Sequence, residues 1–365
     1  MTGPPGTEFH RNNGVRPVKT GGSAEEGARC ERSRHAASRH DEAAQDKRLD
    51  LRIAAFWVPC LSPSLELILL WGWLMKTKFV AFAMVLSMAL VGSISAAQGD
   101  DREVAVVRTL AEQGNAEAQF SLGIMFVLDR SIPKDDALAI RWFRLAAEQG
   151  LAKAQFMLGL MYSEGRGTSK DDVQALKWMR LAADQGYAAG QHGLGAMYLD
   201  GRGVPKDDSL AVKWYRLSAD QGFSEAQGTL GAMYLDGRGV PRDDALAVRW
   251  FSLAATQGLA EAQVLLGTMY LDGRGVPNDD ALAVKWFRLA AEQGYAEAQV
   301  FLGALHLDGR GVPKDDVTAY MWFNLSAAVG NSIGVKSRDL VAKRMLPAQI
   351  SEAQRQSREW KPTTK

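Results

Sequence analysis

Cysteine is almost missing from this chain. Cys30 and Cys60 are the only two in 365 residues, and both precede the long repetitive part. Two thiols make neither a disulfide framework nor a four-ligand metal site. Histidine is scarce as well: of five, only His192 and His306 lie beyond residue 97. They stand at different positions of the repeat, so neither a Ser-His-Asp arrangement nor a histidine metal site can be assembled from them. Both read as packed or surface histidines, and no catalytic residue, metal or cofactor is expected. Alternation of apolar and polar residues at period two is also absent, which leaves no strand to assign. Charge imbalance is lacking too. Of 43 basic and 42 acidic residues, 12 and 9 fall in 1–97, which leaves 31 and 33 beyond it, a net of −2. Such a balance gives no basis for binding nucleic acid or an anionic membrane.

Repetition takes the place of what is absent. Trp142, Trp178, Trp214, Trp250, Trp286 and Trp322 recur at intervals of 36 residues, as do Gly150, Gly186, Gly222, Gly258, Gly294 and Gly330. Six units fill 115–330 without insertion or deletion. A period of this length marks stacked supersecondary units. Within one unit, Ala188–Leu199 and Asp208–Gln221 each carry apolar residues at helical spacing, joined by the loop GRGVPKD. Gly201 can close the first helix in the left-handed region, Pro205 prevents backward continuation of the second, and Asp207 or Asp208 can cap it. Gly222 ends the second helix, and the apolar residue after it suits a Schellman ending. Gly123, Gly159, Gly195, Gly231, Gly267 and Gly303 fall within the first helices, where glycine costs about 1 kcal/mol against alanine. That cost predicts a close helix crossing there, made by the helix bearing the tryptophans. The tryptophans themselves read as core, with ligand stacking as the alternative.

Several motifs recur in register: AEAQ (Ala260–Gln263), LGxMY (Leu266–Tyr270), DGRGVP (Asp272–Pro277) and ALAVKWFRLAAEQG (Ala281–Gly294). In these the chain resembles the Sel-one-like repeat family, relatives of tetratricopeptide repeats. The resemblance covers 115–330 and a half unit before it. It implies an all-α, right-handed α/α solenoid of six helix-turn-helix repeats, presenting a concave surface to proteins or peptides. Some secreted members stitch each helix pair with a disulfide, which these cysteine-free repeats cannot form.

The flanks read differently. Residues 1–50 are poor in apolar content and read as disordered. Residues 51–74 are apolar but interrupted by two prolines and Glu66. After Met75 come Lys76 and Lys78, the uncharged run Phe79–Val91, and Ser95-Ala96-Ala97, which together have the form of a signal peptide cleaved before Gln98. The expectation is that Met75 starts the protein and 1–74 is a non-native upstream extension. Trp71-Gly72-Trp73 requires G-rich codons a short way upstream of Met75, as a bacterial ribosome-binding sequence would. The alternative is a membrane anchor through 79–97, alone or as a hairpin with 51–74. Residues 98–114 read as a capping half repeat, with Val106 at the tryptophan position. Asp129 and Ser131 replace both loop glycines of unit one. Tyr320 and Met321 make the last repeat helix more apolar, so a cover is expected from Lys336–Met345 and a helix from Pro347 to Trp360, within a C-terminal capping region 331–365.

Two sets of residues are candidates for binding. Arg130, Arg166, Arg202, Arg238, Arg274 and Arg310 form a ladder in the loops, either an anion-binding edge or loop architecture held by nearby carbonyls or aspartates. The positions of the first helices that vary between units include Phe120, Ile124, Met157, Leu160, His192, Ala196, Thr229, Ala232, Leu265, Thr268 and Phe301. They predict either a groove for a peptide or partner helix, with Gly193 and Thr229 as open floor, or inter-repeat core. The loop DGRGVPKDD lacks the alternating oxygens of a calcium loop and the lysine of a phosphate loop. The expectation is a non-catalytic scaffold in the bacterial periplasm or secreted, binding a protein or peptide. A cell-wall-directed enzyme or binder and a secreted host-binding effector are the alternatives.

Overall fold

A computed structural model describes residues 101–128 and 132–362. The segments expected to be an upstream extension (1–74) and a leader (75–97), both cysteines and Arg130 lie outside these residues. Fifteen α-helices and no strand occur among the described residues. Helix α1 (Asp101–Glu112) is followed by six pairs. These are α2 (Ala116–Leu128) with α3 (Asp136–Glu148), α4 (Ala152–Glu164) with α5 (Asp172–Asp184), and α6 (Ala188–Asp200) with α7 (Asp208–Asp220). Then come α8 (Ser224–Asp236) with α9 (Asp244–Thr256), α10 (Ala260–Asp272) with α11 (Asp280–Glu292), and α12 (Ala296–Asp308) with α13 (Asp316–Ala328). Two further helices, α14 (Ser332–Ala342) and α15 (Pro347–Glu359), close the series. Each helix packs chiefly on its neighbours in sequence, so the repeats form an α-solenoid.

Local chemistry sets each boundary. The first helix of a unit ends on a left-handed glycine, Gly201 at φ 69° in unit three, whose amide bonds the Met197 carbonyl. Asp207 then caps the second helix, its Oδ1 accepting the amides of Ser209 and Leu210 at 3.0 and 2.9 Å. The same residue type caps α3, α5, α9, α11 and α13. At the far end the Phe223 amide reaches the Ser218 carbonyl and the Gly222 amide the Ala219 carbonyl, at 3.3 and 2.9 Å. This is the bond pair of a Schellman ending, with Gly222 at φ 88°.

Inside each pair, the glycine of the first helix admits a large side chain from the second, a ring in every unit but unit two. A Cβ placed on Gly231 would stand 2.9 Å from the Phe251 ring, and one on Gly303 2.6 Å from Phe323. The crossing helix is the one that bears the tryptophan, but the side chain at the glycine belongs to the residue after it. That residue is Phe143, Met179, Tyr215, Phe251, Phe287 or Phe323. One step along a helix turns a side chain by about 100°, which points the tryptophan to the flank. Trp178 and Trp322 are buried there, whereas Trp142, Trp214, Trp250 and Trp286 are half-buried. The phenylalanines and the leucine column Leu122, Leu158, Leu194, Leu230, Leu266 and Leu302 form the deepest core.

A second periodic feature is polar. Gln155, Gln191, Gln227, Gln263 and Gln299 are buried, and each donates to a carbonyl eight residues back. The first four accept from Gln185, Gln221, Gln257 and Gln293 of the same unit's second helix, at 2.7 to 2.9 Å. Gln299 has no such donor because Val329 stands where the glutamine belongs, and its Oε1 is buried without a hydrogen bond.

The last repeat helix is covered. Tyr320, Met321 and Trp322 are buried under α15, where Gln354 donates to the Tyr320 hydroxyl at 3.3 Å and Trp360 meets Trp322 edge-on. Helix α14 begins at Ser332, four residues before the expected cover, because Asn331 caps it through the amides of Ile333 and Gly334. The glutamine ladder supplies a test. Val329→Gln is expected to satisfy Gln299 Oε1 and raise stability by about 1 kcal/mol, read as a higher urea midpoint. An unchanged or lower midpoint would contradict the pairing.

Candidate interaction surface

The loop arginines face inward to the preceding unit. Arg166 binds Asp136 through two nitrogens at 3.2 and 2.7 Å, and Arg310 binds Asp280 at 3.0 and 2.8 Å. Arg202, Arg238 and Arg274 reach Asp172, Asp208 and Asp244 at 2.8, 3.3 and 3.4 Å. Arg202 also donates to the Ser163 carbonyl at 3.1 Å. The two adjacent aspartates of each loop thus divide their tasks: the first caps its own helix and the second receives the arginine of the next unit. The glycine after each arginine serves the same contact. A Cβ at Gly203 would run into the Asp172 carbonyl oxygen. Beyond the last loop, Arg344 takes Asp316 at 3.0 and 2.7 Å and extends the ladder. Arg344 was not legible from the period, because it lies outside the repeat and 28 residues from its partner rather than 30.

The variable positions of the first helices separate into two groups. Phe120, Ile124, Met157, Leu160, His192 and Thr229 are buried, while Ala196, Ala232, Leu265, Thr268 and Phe301 are half-buried. Gly193 is no open floor: a Cβ there would stand 2.8 Å from Met179 Sδ, and Thr229 is only 5 % exposed. The inner members therefore pack between layers, and the half-buried ones lie at the surface of units three to six.

Acidic side chains flank that half-buried stripe. In unit four Glu225 and Asp236 flank Ala232, with Thr229 buried beside it, and in unit five Glu261 and Asp272 flank Leu265 and Thr268. Burial pushes the carboxyls of Glu225, Asp236 and Asp272 up. At the corresponding place in unit two, Glu164 is pushed up to about 7, since burial outweighs the pull of Arg166 and Arg202. His192 lies between the rings of Tyr215 and Phe223, at 5.2 and 5.4 Å, and burial brings it down to about 3. His306, half-buried between Asp315 and Arg288, is lowered by burial as well. Among the described residues no group of histidine, cysteine and carboxylate side chains could hold a metal ion.

The family model described as Sel1 repeat matches six successive segments, 116–151, 152–187, 188–223, 224–259, 260–295 and 296–331. The chain belongs to the Sel1 repeat family. Its solenoid is similar to the crystal structure of a Sel1 repeat protein from Oxalobacter formigenes, at 30% identity and a TM-score of 0.57, over 67% of this chain and 96% of that one. It is also similar to a protective antigen of uropathogenic Escherichia coli displaying an SLR fold, at 26% identity and a TM-score of 0.40, over 78% and 85%. No curated protein matches the chain. Sel1 repeats generally mediate protein–protein interactions, and proteins built from them are typically non-catalytic scaffolds.

Two measurements test this geometry. In a double-mutant cycle, Arg202→Ala and Asp172→Ala are expected to couple by about 1 kcal/mol, less in high salt, because the pair is only partly exposed. Additive losses would show that the ladder carries no stability. The second concerns His192. Its folded value lies below the ordinary one of 6.5, so below that pH the unfolded chain takes up a proton that the native state refuses. Native stability is therefore full above about pH 6.5 and falls by about 1.4 kcal/mol per pH unit toward pH 3. Urea midpoints near pH 7.5 and pH 5 should differ more for the wild type than for His192→Phe. Equal differences would mean that the ring is not kept neutral by burial.

Proposed function

We propose that this Sel1 repeat protein is a non-catalytic adaptor that holds a protein or peptide on its first-helix face. The observation that carries this reading is the half-buried stripe Ala196, Ala232, Leu265, Thr268 and Phe301. These positions differ between several units while the arginine and glutamine ladders stay fixed, so the chemistry of this face changes along the array although each side chain keeps one side on the core. The acidic flanks favour a polypeptide over nucleic acid, whose phosphates they would repel. The leader-like segment before Gln98 supports export to the bacterial envelope, with release or an anchor through 79–97 as the two forms that export could take. Among the described residues no helix is long and apolar enough to cross a membrane.

The test is crosslinking of the C-terminally tagged chain in its native cell, followed by mass spectrometry of bait and partners. Wild-type bait is expected to begin at Gln98 and to capture a polypeptide partner. Ala232→Arg with Thr268→Arg, both at half-buried positions, is expected to abolish capture while the helical circular dichroism persists. Undiminished capture would remove the stripe from the binding surface. A bait that retains residues before Met75 would overturn the export reading alone.

A further inference from the structure

The second helices carry a column of leucines that the fold buries only in part. Leu145, Leu181, Leu217, Leu253 and Leu289 are between 37% and 44% exposed, although each stands at the same place in its unit. Large apolar side chains that recur in line on a surface mark an interaction site more often than scattered ones do. Four residues before each leucine is an exposed basic residue: Arg141, Lys177, Lys213, Arg249 or Lys285. Three residues after it stands an acid, Glu148, Asp184, Asp220 or Glu292, with Thr256 the single exception. Spacings of four and three place the set on one helix face. The stripe across each second helix therefore reads basic, leucine, acidic.

Unit six shows what such a face can do. There Met321 replaces the basic residue, and the chain covers the face itself: Met321 is 9% exposed and its carbonyl accepts from Ser357 of α15 at 3.4 Å. Leu325, in line with the exposed leucines, is half-buried. A helix thus already packs at this position in the one unit that lacks the charge. Leu289 lines a shallow cleft of about 350 Å³ together with Lys285, Arg288, Glu292 and Val312.

We infer that the leucine face binds a second copy of this chain, each second helix lying antiparallel on its own counterpart. The charge order selects this occupant and this orientation. Reversed on itself, basic–leucine–acidic meets acidic–leucine–basic, so leucine faces leucine and opposite charges meet at both ends. That holds on every rung except Arg249 against Thr256. A parallel arrangement sets lysine on lysine. Antiparallel helices with the units in register correspond to a two-fold axis along the stacking direction, the isologous arrangement that most homodimers use. The first-helix stripe stays open in this dimer, so the inference is independent of the partner proposed for that stripe.

Sedimentation equilibrium of the full chain over the micromolar range tests it. The wild type is expected to reach a dimer that weakens with added salt. Leu181→Glu with Leu217→Glu should weaken it by roughly tenfold or more. Lys213→Glu should weaken it too, and adding Asp220→Lys should restore it, which separates pairing from misfolding. A wild type that stays monomeric throughout would overturn the inference. So would a dimer indifferent to the leucine substitutions, or one that the charge reversal does not restore.

Discussion

The structure depends on one contact made again at each unit boundary: the start of a second helix against the loop that follows 30 residues later. Three groups meet there. A capping aspartate fixes the helix start, the next aspartate receives the arginine of the following loop, and the glycine after that arginine lets two backbones touch. None of the three is strong alone. A partly exposed ion pair contributes about 1 kcal/mol or less, and a cap about the same. Their effect is on geometry. They fix the angle and offset between units, while inside each unit a ring, or Met179 in unit two, fills the gap above the glycine of the first helix. The deep core does the stabilising, and the boundary contact decides where that core lies.

This arrangement explains why the loop motif is so uniform. Glycine after the arginine is required by a neighbour's carbonyl, not by any ligand in the loop. The glutamine ladder follows the same logic inside the unit. A buried amide bonded on one side to a carbonyl and on the other to a second amide is fully satisfied only if both glutamines are present. Where the last one is replaced by Val329, an acceptor is left over, which places the defect at the end of the array, where only one unit has to tolerate it.

Much of this was legible in the sequence. The period, the two helices, the glycine endings and the aspartate caps follow from spacing and residue type. The tryptophan drew attention away from the residue beside it, because conspicuous size is easy to read and a one-residue rotation is not. Arg202 left a choice between edge and architecture open, because its ion-pair partner Asp172 lies in another unit and spacing within the loop does not reveal it. The groove residues were the hardest. Periodicity shows that His192 and Thr229 vary, but a variable position can face a neighbouring layer as readily as a ligand, and side-chain burial alone separates the two.

A position fixed across the units is not always a core position. Uniformity across units usually reflects packing, within a unit for the wholly buried Leu194 and between units for the loop arginines. Leu217 is equally uniform and remains 42% exposed. Core packing accounts for only part of that side chain, and the rest is apolar surface left in water. A solenoid repeats every surface it has, so an apolar side chain retained five times in line becomes a continuous ridge rather than five separate exposures. Such a ridge, bordered by opposite charges on its two sides, has a direction, and a surface with a direction can recognise its own reverse. The repeat that builds the core would then build the second interface by the same periodicity, leaving the variable first-helix positions to distinguish one partner from another.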